Sequence, residues 1–116
     1  MNTIYLDGSA CLEPGTAARL AHLVEAGNEL VLVAPAEHPA AALDIWVAHL
    51  PSLPETPAPG SWFFTADPAT CGDRKPGVRT VLVGPREAEQ RPTRCDTTVR
   101  DLREGVLEVL AADAMA

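Results

Sequence analysis

The chain has 116 residues, 47% of them hydrophobic, and a formal net charge of −7 at pH 7. This length suits one packed domain and is too short for two, so we treat residues 1–116 as a single domain. The nine basic residues are scattered along the chain, which excludes nucleic acid and anionic membranes as expected partners. No apolar run has the length of a membrane span and no signal peptide is visible, which predicts a cytoplasmic protein.

The first third of the chain predicts a strand, a helix and a second strand. Thr3 to Leu6 is short and apolar and stops at the turn-forming Asp7-Gly8-Ser9, which places Asp7 at the carboxyl end of a buried strand. Apolar residues from Ala17 to Val24 have helical spacing, and Gly27-Asn28 is a typical helix end. Glu29 to Val33 is a continuous aliphatic run, as in strands that are covered on both faces in a parallel sheet.

The middle of the chain predicts a helix and then a connector. Pro39 can start a helix whose apolar stripe runs to Leu50, and Pro51 ends it. Four prolines within residues 51–60 exclude regular structure there. We therefore expect a stiff proline-rich connector inside the domain.

The second half of the chain predicts two more strands and a final helix. Ser61 to Ala66 is aromatic and β-branched, and Val78 to Gly84 is largely aliphatic. Asp96 or Thr97 can cap a helix whose apolar stripe is interrupted by Gly105, a local weakness.

Alternating strands and helices predict an α/β fold: a three-layer, Rossmann-like parallel sheet of about four to five strands with helices on both faces. If the first strand is central, the second lies on one side of it and the third on the other. Open α/β sheets bind ligands at the carboxyl ends of the strands where the strand order reverses, here between the first and third strands. Asp7 and Asp67 follow these two strands, so we expect both at that edge.

Two carboxylates at one edge favour a hard divalent cation, with Mg²⁺ as the default. The backbone amides of Gly8 and Ser9 could receive a phosphate next to it. The alternative is that Asp7 and Asp67 only cap turns, as Asp-Gly and Asp-Pro often do, and spacing alone favours this alternative.

The three cysteines, Cys11, Cys71 and Cys95, form an odd set without a C-x-x-C pair. This predicts reduced thiols and argues against a disulfide framework or a structural zinc site. Cys71 follows Asp67 into the predicted crevice and is the candidate reactive thiol.

Three stretches together resemble one known superfamily: YLDGSACLEPG, GNELVLVAP and WFFTADPATCGDRKPGVRTVLVG. They are similar to the first motif, the second strand with its motif, and the fourth motif of the haloacid dehalogenase-like (HAD-like) superfamily. The resemblance covers most of the chain and is to a small, capless and degenerate form. It implies Mg²⁺-dependent chemistry on a small phosphorylated ligand.

The resemblance leaves two alignments of the first motif open. Members use an aspartate nucleophile and an acid/base aspartate two residues later. If Asp7 is the nucleophile, Ser9 replaces the acid/base group; if Asp7 is the acid/base group, Tyr5 stands at the nucleophile position. Either way, one carboxylate is missing.

Other family groups are also missing. Ala34 stands where the superfamily has a phosphate-binding Ser or Thr, and Cys71 stands where a second acid is usual, with Asp73 nearby. The only lysine, Lys75, comes after the fourth motif, which is late for the expected lysine. Each such group accounts for orders of magnitude in rate, so efficient catalysis is not expected.

We therefore expect a catalytically impaired HAD-like domain, a pseudoenzyme that acts by ligand or metal binding, by self-association, or with a partner subunit. The alternative is a Mg²⁺-dependent phosphohydrolase acting on a small phosphorylated metabolite. In that alternative Asp7 is the nucleophile and Asp67 is a metal ligand. Ser9 stands at the position of the acid/base group, and the group that acts as acid/base is unidentified.

Overall fold

The computed structural model describes residues 2–11, 16–34, 45–46, 48–67, 77–84 and 95–115. In chain order the elements are β1 (Thr3–Asp7), a short 3₁₀ helix (Gly8–Cys11), α1 (Thr16–Glu25), β2 (Glu29–Val33), β3 (Ala48–Leu50), β4 (Ser61–Thr65), β5 (Val78–Val83), β6 (Thr97–Val99) and α2 (Leu102–Met115). Neither described helix is both long and apolar enough to cross a membrane.

All six described strands form one parallel sheet in the order β3-β2-β1-β4-β5-β6. This is a usual strand order of doubly wound α/β folds. The α/β class is confirmed. β1 is central, and β2 and β4 are its two neighbours, as expected if the first strand is central. The sheet has six strands because two short strands of three residues each extend its edges.

Both edge strands lie where the sequence predicts helix. The helix predicted from Pro39 to Leu50 is wrong at its end, because Ala48–Leu50 is β3, paired with β2. Residues 39–44 and 47 lie outside the described part of the chain. The Ala34 N–H donates to the Leu50 carbonyl at 2.9 Å, which extends the pairing beyond β2. So short a strand is stabilised by its neighbour and not by local propensity.

The final helix begins later than predicted. Thr97 belongs to β6, and α2 starts at Leu102. Asp101 is its N-cap, since the Asp101 Oδ1 accepts the Glu104 N–H at 2.9 Å. The prediction that Asp96 or Thr97 caps this helix is therefore wrong.

The two faces of the sheet bury separate cores. Both described helices pack on the first face, against a cluster that includes Ile4, Leu6, Leu30, Leu32, Phe64 and Val81. The second face buries Tyr5, Val31, Val33, Phe63 and Val78. The third helix of the prediction, from Pro39, falls largely outside the described residues.

The proline-rich connector at residues 51–60 has no helix or strand, as predicted. Leu53 from this segment packs against the core of the second face, and Pro57 is buried. The connector therefore covers part of the sheet.

Gly105 allows α2 to approach β4 closely. A Cβ at this position would lie 2.7 Å from Cε2 of Phe64, which is shorter than real carbon contacts. The glycine is a weak helix former, but its missing side chain makes room for the Phe64 ring in the first core.

Candidate functional site

The candidate site lies at the carboxyl edge of the two central strands. Asp7 ends β1 and Thr65 ends β4, and the parallel register pairs Leu6 with Phe64 directly before them. The chain places β2 and β3 on one side of β1 and then returns to the other side with β4. Asp7 and Thr65 therefore flank the topological switch point, where such sheets bind ligands.

A hydrogen-bonded chain joins the two predicted aspartates. The Thr65 hydroxyl donates to Oδ2 of Asp7 at 3.1 Å, and the Asp67 N–H donates to the Thr65 Oγ1, also at 3.1 Å. The hydroxyl is also 3.4 Å from the Asp67 carbonyl, a longer and therefore weaker alternative acceptor. Thr65 is fully buried, Asp7 is half-buried and Asp67 is exposed. The threonine thus fixes the Asp7 carboxylate and the backbone at Asp67 together.

Thr65 is the site residue that sequence reasoning misses. In the sequence it is one more β-branched residue in an aromatic strand. Its position at the end of a strand, like that of Asp7, is the only signal that points to it. The contact itself depends on the pairing of β1 with β4, which cannot be read from the sequence.

Tyr5 does not lie in the crevice. Its side chain is only 6% exposed and packs in the second core with Val31 and Phe63. Of the two residues that the family alignments offer as nucleophile, only Asp7 lies at the carboxyl edge.

The other predicted residues are placed only in part. Gly8 is buried and, with the Ser9 backbone, begins the 3₁₀ helix directly after β1. The Ser9 side chain and Cys71, the candidate reactive thiol, lie outside the described part of the chain, as does Lys75. Ala34 is buried at the end of β2, so it brings only a methyl group and its backbone to this edge.

A cation at this edge could be held by protein side chains alone, or by a few side chains together with water and a ligand. The described residues contain no group of three or more His, Cys, Asp or Glu side chains that could hold a metal ion. Mg²⁺ is often bound by one or two carboxylates, by water and by the phosphate of a ligand. The described residues therefore do not form a cation cage built from protein groups alone, and a cation at this edge would need water or a ligand's phosphate to complete its coordination.

A third aspartate, Asp96, belongs to a structural contact with Thr80. The Thr80 N–H and hydroxyl donate to Asp96 Oδ2 at 2.9 and 3.1 Å, and the Asp96 N–H donates to the Thr80 Oγ1 at 2.9 Å. This exchange ties the start of β6 to β5.

Cys95 is disulfide-bonded, so the prediction of reduced thiols is wrong for this residue. An odd count without a C-x-x-C pair was a poor guide, because disulfides depend on which cysteines the fold brings together in space.

No protein-family model matches this sequence, and no curated protein and no solved structure is significantly similar to it. The resemblance to the HAD-like superfamily therefore stays a prediction carried by the sequence motifs.

Proposed function

We propose that this chain is a HAD-like domain with impaired catalysis, whose carboxyl edge binds a small phosphorylated ligand together with a hydrated Mg²⁺. The observation that supports this most is the hydrogen-bonded chain from Asp7 through Thr65 to Asp67 at the switch point of the sheet. A carboxylate oriented in this way loses little further freedom when it binds a cation.

Each residue of the edge has a role in this proposal. Asp7 is the fixed ligand of the cation, and Asp67, which is exposed, binds it directly or through water. The Gly8 and Ser9 amides receive the phosphate, whose charge Mg²⁺ offsets in a chain of net charge −7.

The catalytic groups that this chain lacks favour ligand binding without efficient turnover. Phosphoryl transfer through an aspartate needs proton transfer and stabilisation of the phosphoryl oxygens, each worth orders of magnitude. Ser9 replaces a carboxylate in the Asp7-nucleophile alignment, and Ala34 brings no hydroxyl. Phosphohydrolase activity with Asp7 as nucleophile is the alternative that the experiment below decides.

We also propose a cytoplasmic location, and we keep a homo-oligomer or a partner subunit as part of the proposal. The disulfide at Cys95 weighs against the cytoplasm, because disulfides rarely persist in a reducing compartment. The edge strands β3 and β6 have three residues each and are poor templates for strand pairing, so an oligomer would use another surface.

Calorimetric titration with MgCl₂ in the presence of inorganic phosphate tests the binding proposal. Wild type should bind Mg²⁺, Asp7→Asn should bind it at least about tenfold more weakly, and Glu25→Gln should match wild type. Glu25 is the matched control because it is an exposed carboxylate at the end of α1. No Mg²⁺ binding by wild type would contradict the proposal.

Turnover of p-nitrophenyl phosphate by the same proteins separates the two functions. We expect no turnover above background for wild type. Turnover that is lost in Asp7→Asn and kept in Glu25→Gln would contradict impaired catalysis and support the phosphohydrolase alternative.

A further inference from the structure

An open groove runs between α1 and α2, with a cavity volume of about 450 Å³. We call it the helix groove. Its apolar lining comes mostly from α2, with Val106, Leu107 and Leu110, and α1 adds Ala18. Leu107 is 55% exposed, whereas Leu102 and Val109 of the same helix are fully buried in the first core. The helix therefore presents apolar side chains on two sides, to the core and to the groove.

Basic side chains line the same groove. They are Arg19, His22 and Arg103, and none of the described residues that line the groove is acidic. In the described part of the chain, no hydrogen bond or ion pair engages these three side chains. The chain as a whole carries a net charge of −7 with only nine Lys and Arg residues, so this local excess of basic groups contrasts with the rest of the molecule.

The groove has a direction. α1 connects two neighbouring parallel strands, so it runs from the carboxyl edge of the sheet back to the amino edge. The last part of α2 lines a cavity with Gly60 and Gly77, which precede β4 and β5, so α2 runs the same way. Arg19 and Arg103 lie in the first halves of their helices, near the positive ends of the helix dipoles, and Leu110 lies farther along.

We propose that the helix groove binds a small anionic amphiphile, with its acidic head at Arg19 and Arg103 and its apolar body on Leu107 and Leu110. This site is separate from the proposed function at Asp7. Its volume lies within the range of roughly 300–1,000 Å³ that is usual for small-ligand sites. Protein–protein interfaces use about 20–30 residues on each side, far more than line this groove. The net charge of −7 disfavours an anionic membrane as the occupant.

Calorimetric titration with decanoate tests this proposal, with decyltrimethylammonium and acetate as matched probes. Wild type should bind decanoate at a single saturable site and bind neither other probe, because one lacks the negative head and the other lacks the apolar body. Arg19→Gln/Arg103→Gln and Leu107→Gln should each weaken decanoate binding by at least about tenfold. Arg100→Gln should bind as wild type, since Arg100 is exposed and does not line the groove.

Several results would overturn the proposal. The first is that wild type does not bind decanoate. The second is that it binds decyltrimethylammonium as well as decanoate. Decanoate binding that survives both the Arg19→Gln/Arg103→Gln and the Leu107→Gln changes would place the site elsewhere. A dimer in light scattering that Leu107→Gln dissociates would show that a second copy covers this face. Arg19, Arg103 and Leu107 are at least partly exposed, so their substitution should leave the fold intact. A circular dichroism spectrum that matches wild type checks this for each variant, so that lost binding reports on the groove.

Discussion

Two aspartate–threonine pairs join neighbouring parts of the sheet, and they differ in what the hydrogen bonds hold. Asp96 and Thr80 exchange bonds in both directions, and the backbone N–H of each takes part. Between Asp7 and Thr65 the described bond runs between side chains only, and the backbone that Thr65 engages is that of Asp67. In the first pair each side chain accepts the backbone N–H of the other residue, whereas in the second pair the bond holds a carboxylate.

Position explains the difference. Asp96 precedes β6, an edge strand of three residues whose pairing is too short to hold it without help. Asp7 ends the central strand, which is already paired along both sides. The bond to Asp7 is therefore not needed to hold the sheet, and its effect is to orient a carboxylate at the switch point. The same two residue types serve stability at one place and a candidate site at the other.

The largest effect on stability should come from Asp96→Ala. Thr80 is only 2% exposed, and the change removes the acceptor of its N–H and its hydroxyl. We expect the free energy of unfolding to fall by about 2 kcal/mol, since charge-assisted hydrogen bonds are lost and a buried donor is left without a partner. Urea unfolding followed by circular dichroism measures it. Wild-type stability in this variant would show that Asp96 does not hold β6.

The two threonines offer a matched comparison, because valine keeps the shape of threonine and removes only the hydroxyl. Thr80→Val should lower the free energy of unfolding by about 1–2 kcal/mol, since this hydroxyl both donates to and accepts from Asp96. The Thr65 hydroxyl also donates and accepts, but it does so at the end of a strand that is paired along both sides, so Thr65→Val should cost less, about 1 kcal/mol. It should also weaken Mg²⁺ binding, because Asp7 loses its orienting bond. The reverse order in the same urea experiment would contradict the distinction between the pairs.

The smallest effect on stability should come from Asp7→Asn. The amide keeps an oxygen that can accept the Thr65 hydroxyl, so we expect a change below about 1 kcal/mol. A larger loss in urea unfolding would mean that Asp7, like Asp96, is a structural residue. In that case the turn-capping interpretation of the sequence would be the better one.

The sequence is a good guide to the centre of this fold and a poor one to its edges. Continuous aliphatic and aromatic runs mark β1, β2, β4 and β5, because strands buried on both faces leave that pattern. β3 and β6 have three residues, too few to show a period, and parallel pairing with a neighbour forms them. The helical spacing around them was therefore misleading.

The candidate site, too, could be predicted from the sequence only in part. The rule that polar residues after central strands meet at one edge is enough to single out Asp7 and Asp67. Thr65 could not be found this way, because its role depends on the register between β1 and β4. The choice between Tyr5 and Asp7 also needed the structure, since it depends on which of them the second core buries.

The most direct test of a ligand site at the carboxyl edge of β1 and β4 is to map ligand binding residue by residue. Amide chemical shifts of ¹⁵N-labelled protein should be recorded while MgCl₂ and inorganic phosphate are added. We predict that the largest shifts cluster at Asp7, Gly8 and Thr65 to Asp67, and that the shifts of Thr80 and Asp96 stay unchanged. Shifts that cluster at Asp96, or no localised shifts at all, would contradict a ligand site at the carboxyl edge.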